Sequence, residues 1–170
     1  VAIIRVTRNI HLGELVSSRE HPELAANPLE LAAEVVVTLV RLALVLQDIR
    51  ELLAAGAIHI SSGYRPPALH AAVYAPKMAP PTSRHLRATA ADFELEELNS
   101  IHAFVRIAKL GLEVLEELPE YDRLCLYPLR GHIHVDIPLD AAQPPARELY
   151  IDNGAGWERI SYEDAAELAA

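Results

Sequence analysis

Apolar residues at Leu31, Val35, Leu39, Leu42, Leu46 and Ile49 recur every three or four positions, so they share one face of a long helix, and that face must be buried against something. The same stretch carries Glu30, Glu34, Arg41 and Asp48, so nothing in residues 29–49 reaches the roughly 20 uninterrupted apolar residues that span a bilayer. A helix of this kind belongs in a protein core, packed on a sheet or on another helix. Asn27-Pro28 supplies its expected start and Gly56 its expected stop. With 170 residues, 51% of them hydrophobic and 23% charged, the chain is long enough to close such a core.

The remaining segments alternate between strand-like and helix-like patterns. Residues 57–62 alternate as a short strand, and Gly63-Tyr64-Arg65-Pro66-Pro67 must end it, because two prolines remove donors and fix φ. A short helix over residues 67–75 and a proline-rich loop over 76–83 follow. Ala90-Ala91-Asp92-Phe93 reads as a buried strand. Ile101, Phe104, Val105, Ala108, Leu112 and Leu115 predict a second amphipathic helix over 100–118. Residues 123–127 and 132–137 predict a β-hairpin around Pro128-Leu129-Arg130-Gly131. The tail, with Pro144-Pro145 and Asp152-Asn153-Gly154-Ala155-Gly156, is expected to form a surface hairpin rather than a second domain. This order predicts an α+β fold, a small, mostly antiparallel sheet with flanking helices, as one domain over residues 1–170.

Composition narrows the chemistry. A single cysteine, Cys125, excludes an internal disulfide and a thiolate-based zinc finger, so any metal must be held by imidazole and carboxylate. A formal charge of -9 argues against a nucleic-acid partner, which would call for clustered Lys and Arg. The N-terminal Val-Ala-Ile-Ile-Arg-Val-Thr-Arg lacks the pattern of a secretory signal, which leads to the expectation of cytoplasmic synthesis.

Against that background the histidines and acids near small and proline residues stand out. His85 and Asp92 lie seven apart across a loop-to-strand transition, and His132 and His134 follow on the predicted hairpin. Two imidazoles and one carboxylate suit a four-coordinate zinc that leaves one position to water. By strand alternation His132, His134 and Asp136 share a face. Asp92, set between Ala-Ala and Phe, needs a partner if buried, and a cation is the economical one. His11, His21, His59, His70 and His102 show no such pattern, and Glu113, Glu116, Glu117 and Glu120 read as a solvated helix face.

Four blocks in this order resemble the zinc D-Ala-D-Ala carboxypeptidases and related peptidoglycan endopeptidases, whose metal-site fold is shared with hedgehog signalling domains. They are Leu12-Gly13-Glu14-Leu15, Ser61-Ser62-Gly63-Tyr64-Arg65-Pro66-Pro67-Ala68-Leu69, Ser83-Arg84-His85-Leu86-Arg87 through Ala90-Ala91-Asp92-Phe93, and His132-Ile133-His134-Val135-Asp136. The resemblance covers about residues 10–138, leaving 139–170 as a C-terminal extension. It implies a zinc-dependent hydrolase of peptidoglycan stem peptides or cross-links at D-amino-acid bonds, either carboxypeptidase or endopeptidase, with a phage-type lysis role and delivery route as one context. It also implies that His85, Asp92 and His134 are the zinc ligands, that Arg65 holds the substrate and stabilises the oxyanion, and that Ser83 and Tyr64 contribute to substrate binding.

One position departs from the family pattern. Relatives place an acid three residues before the last zinc histidine, and here Gly131 stands there. His132, with Asp136 second, is the expected substitute as general base. The same departure supports an alternative, a zinc-stabilised binding module without turnover.

Overall fold

A computed structural model describes residues 4–168. Residues 1–3 of the N-terminal segment read above for a leader lie outside the described residues. The chain runs through α1 (Leu12–Val16), α2 (Ala33–Leu52), β1 (Ile58–Ser62), α3 (Pro67–Tyr74), β2 (Ala90–Leu95), α4 (Ser100–Val114), β3 (Arg123–Tyr127), β4 (His132–Asp136), β5 (Glu148–Asp152), β6 (Trp157–Ile160) and α5 (Tyr162–Ala166). The strands form one six-stranded sheet in the order β1-β2-β4-β3-β5-β6. Only the β3–β5 pairing is parallel; the other neighbours are antiparallel. The α+β architecture is therefore the one the pattern of periods predicts. Among the described residues no helix is long and apolar enough to cross a membrane.

The two-residue period of the strands sorts the side chains into two populations. Ile58, Ile60, Ala91, Phe93, Leu95, Leu124, Leu126, Ile133, Val135 and Leu149 point to one face and join the hydrophobic core. Leu39, Leu42, Leu46 and Ile49 of α2 and Phe104, Ile107 and Ala108 of α4 fill the same core from behind. The opposite face receives the alternate residues, Asp92 of β2, Arg123, Cys125 and Tyr127 of β3, and His132, His134 and Asp136 of β4. Asp92 pairs directly with His134, and His134 with Cys125, so the register places these groups in one row across the sheet centre.

Several boundaries differ from the sequence expectation, each for a local reason. α2 begins at Ala33 rather than at Asn27-Pro28. Asn27 closes a turn of its own, its side-chain oxygen accepting from the Leu29 N–H and its amide donating to Glu30. The same helix stops before Gly56: Ala54 takes the left-handed conformation (φ 47°) directly after buried Leu53, and Arg50 reaches forward to the Gly56 carbonyl. The second predicted helix ends at Val114, and a 3-10 turn over Leu115–Glu117 brings Leu118 back into the core. The tail is a hairpin, but β5 hydrogen-bonds along β3 and so extends the central sheet.

Gly63 ties the N-terminal segment to the sheet. A Cβ there would lie 2.2 Å from the Leu15 carbonyl oxygen at the end of α1, a contact with backbone that cannot move aside cheaply. The neighbouring Tyr64 N–H donates to the same carbonyl at 2.7 Å. Gly63→Ala is expected to cost about 1–3 kcal/mol through overpacking, read as a lower midpoint in thermal or urea unfolding. Cys125 is fully buried, and burial pushes its thiol up to about 12. The native protein should therefore resist alkylation at pH 8 while the urea-unfolded chain is labelled at one site; rapid labelling of the folded protein would contradict this packing.

Candidate metal centre

Three elements deliver the groups that converge on the polar face of the sheet. His85 sits in a 3-10 turn, Arg84–Arg87, that follows the proline-rich loop. Its Nδ1 lies 2.7 Å from the Gly63 carbonyl oxygen. A carbonyl only accepts, so Nδ1 carries the proton and Nε2 is left as a lone-pair donor aimed at Asp92, 3.5 Å from Oδ2. Ala88, left-handed at φ 58° and fully buried, then turns the chain from this 3-10 turn into β2.

Asp92 comes from the middle of β2 and His134 from β4 directly across the ladder. His134 Nδ1 is 2.7 Å from Asp92 Oδ1, and its Nε2 faces Asp136 Oδ2 at 3.6 Å. The ligand atoms of His85, Asp92 and His134 all lie within 4.8 Å of one another. A tetrahedral zinc needs donor–donor edges of about 3.3 Å, so small side-chain adjustments suffice to close the group around a cation. The donor set fits zinc on chemistry as well: two imidazoles, each with its second nitrogen facing a carbonyl or carboxylate, and one carboxylate.

The electrostatics favour a cation. Burial would raise the Asp92 pKa, but His85 and His134 hold it well below the usual carboxylate range. Burial would lower that of His134, but the Asp136 and Asp92 carboxylates on its two nitrogens raise it to about 9. A field that retains a proton between two carboxylates also attracts a divalent metal. Burial lowers the His85 pKa, which keeps that ring neutral and able to ligate at neutral pH.

The other residues singled out in the sequence divide into two groups. Arg65, Ser83, His132 and Asp136 line the same cleft of about 640 Å³ as His85, Asp92 and His134, a size typical of a small-ligand or peptide-end site. Arg65 is buried and already engaged: its Nη2 donates to Asp92 Oδ2 at 2.8 Å and its Nε to Ser62 Oγ at 2.7 Å. It therefore braces the carboxylate as well as lining the cleft. Tyr64 is not among the residues that line the cleft; it is partly buried and packs against the hydrophobic core. Asp136 is 0% exposed and gripped by Arg123 through both oxygens, and its Oδ2 faces His134 Nε2. His132 is half-buried at the cleft wall, its ring 4.8 Å from that of Tyr127.

Some of the cleft was invisible to sequence reasoning. Trp157 reaches it from β6, with ring centroids 5.1 Å from His134. Tyr127, Arg123, Arg84, Lys77 and Arg130 also line it. His70, read as a surface or structural histidine, is buried and holds the proline-rich wall through Pro80 O at 2.9 Å. Apart from Arg84, which lies in the Ser83-Arg84-His85 block, no local motif marks these residues. Trp157 and Arg123 are neighbours only because β5 chooses β3 as its partner.

A protein-family model described as Peptidase M15 matches residues 21–136, more than half of the chain. Among curated proteins none matches the sequence. The matched segment contains His85, Asp92, His132, His134 and Asp136 and stops short of β5 and β6.

After equilibration with Zn²⁺ and removal of excess, elemental mass spectrometry is expected to find about one zinc per chain, with most of it lost in His85→Ala and in Asp92→Ala. Retention of full zinc by both variants would place the metal elsewhere.

Proposed function

The chain belongs to the peptidase M15 family, and on that premise we propose that it is a zinc peptidase that hydrolyses peptidoglycan stem peptides or cross-links at D-amino-acid bonds, as a carboxypeptidase or an endopeptidase. The observation that carries the reading is the convergence of His85 Nε2, Asp92 and His134 Nδ1 at the floor of a cleft that also presents Arg65. A zinc held there would supply Lewis acidity to a scissile carbonyl and lower the pKa of water. The chain's own groups account for the rest of the hydrolysis.

Arg65, fixed by Asp92 and Ser62, keeps the remaining N–H groups of its guanidinium for a substrate carbonyl, where charge develops as the carbonyl carbon becomes tetrahedral. Ser83 lines the same wall and offers a hydroxyl to the substrate backbone. His132 is the proposed general base. Burial lowers its pKa below the ordinary histidine value, so the ring is neutral at pH 7 and able to accept the proton of the attacking water. It then returns that proton to the amine as the C–N bond breaks. Lys77 and Arg130 add positive charge to the cleft of an otherwise acidic protein, which suits a peptide bearing carboxylates.

Gly131 explains why no acid stands three residues before His134. Its φ is 75°, a left-handed conformation, and its N–H together with that of Arg130 converges on the Tyr127 carbonyl to close the β3–β4 hairpin. Glycine takes this conformation without the Cβ penalty of other residues. The same observation favours one second reading, a zinc-stabilised binding module without turnover.

The two readings separate in a digest of purified peptidoglycan by the zinc-loaded protein, analysed for released D-alanine and opened cross-links. His132→Ala is expected to lower kcat by roughly 100-fold or more while zinc remains bound. Asp136→Asn is expected to act mainly through weaker zinc binding, by about 10–100-fold. No product from the zinc-loaded wild type would favour the binding module; unchanged turnover in His132→Ala would remove it as the base.

A further inference from the structure

We infer that Trp157 is a positioning residue of the metal centre and that the β5–β6 hairpin, beyond the family-matched residues, is a working part of it. The inference rests on the zinc-site reading of His85, Asp92 and His134 but not on turnover.

Trp157 is half-buried and touches the site in three ways. Its ring stands edge-on to His134, with centroids 5.1 Å apart and planes at 64°. The His85 ring meets His134 at the same separation and angle, so the His134 imidazole has an aromatic ring at each of two contacts. The indole N–H donates to the Tyr127 hydroxyl at 2.5 Å, which sets the rotation of the tryptophan ring. Tyr127 in turn lies against His132.

The third contact reaches the group behind the ligand. The Arg123 guanidinium lies 5.2 Å from the centre of the indole. That same guanidinium grips Asp136, whose Oδ2 faces His134 Nε2. One indole therefore bears on His134 directly and on the Arg123–Asp136 pair that faces its other nitrogen. A carboxylate at the second nitrogen of a ligating imidazole restricts the ring to one orientation, and loss of such a partner typically weakens metal binding by 10–100-fold; Trp157 bears on that carboxylate through Arg123. A cation–π contact of this type adds roughly 0.5–2 kcal/mol to the hold on Arg123.

Trp157 is the one tryptophan in the chain, so tryptophan emission comes from this position alone. Two measurements on the full chain test the inference. In the first, Zn²⁺ affinity is measured by competition with a chromophoric chelator. Trp157→Ala is expected to bind about 3–30-fold more weakly, Trp157→Phe to recover most of the loss because it keeps an aromatic edge at His134, and Glu158→Ala, exposed on the same strand, to match wild type. In the second, Co²⁺ is titrated into wild type and is expected to quench the emission to a plateau at about one equivalent, with the quench lost in His85→Ala.

Zinc affinity of Trp157→Ala within about twofold of wild type, or Co²⁺ binding without quenching, would overturn the inference. Should Trp157→Ala fail to fold, Trp157→Leu, which keeps apolar bulk but no aromatic ring, replaces it in the affinity comparison. Peptidoglycan hydrolysis by wild type, run in parallel, separates this inference from the proposed activity. Normal turnover with unchanged affinity in Trp157→Ala sinks only the role of Trp157. Weakened affinity with no hydrolysis by wild type sinks only the peptidase reading. Failure of wild type to take up either metal sinks both.

Discussion

The carboxylate of Asp92 is the point on which the site depends. It sits in the middle of a central strand and receives Arg65 on one oxygen and His134 on the other, with His85 3.5 Å away. An isolated carboxylate in that position would be costly, and the surrounding cations and imidazoles convert the cost into a binding field. Arg65, His85 and His134 come from three separate parts of the chain. The orientation of each is set by what the others do around one acid.

The sheet makes this possible by separating its two faces. Ala91, Phe93, Ile133 and Val135 bury one face against α2 and α4, and that packing holds the backbone of β2 and β4 rigidly in register. The polar groups on the other face then inherit their spacing from the ladder rather than from their own flexible side chains. Gly63 connects this face to the N-terminal segment: its missing Cβ lets α1 approach, and its carbonyl fixes the tautomer of His85. A site built of imidazole and carboxylate thus draws its geometry from apolar packing on the far side of the sheet.

Much of this was legible in the chain. The strand, loop and helix segments followed from period and from proline, and the His85-to-Asp92 spacing with the paired histidines of β4 pointed to imidazole–carboxylate metal chemistry. Helix ends were less legible, because Asn27 and Ala54 obey turn chemistry that competes with helix signals over two or three residues. Arg65 faces the cleft while its neighbour Tyr64 packs against the core. Adjacent residues in an irregular segment need not follow strand alternation.

By itself the sequence determined the α+β class, the row of polar residues on one face of the β3–β4 hairpin, and the exclusion of an internal disulfide. These depend on local periods and on residue chemistry, which act over a few positions. Only the tertiary structure decided that Asp136 lies behind His134 in the grip of Arg123, that Arg65 braces Asp92, and that Trp157 meets His134 from the far end of the chain. The first contact follows from the β3–β4 register, which sets Arg123 opposite Asp136; the other two arise from the docking of loops on the sheet and from the pairing of β5 with β3. Such pairings are set by the total packing of the core and leave no mark in any short stretch of residues.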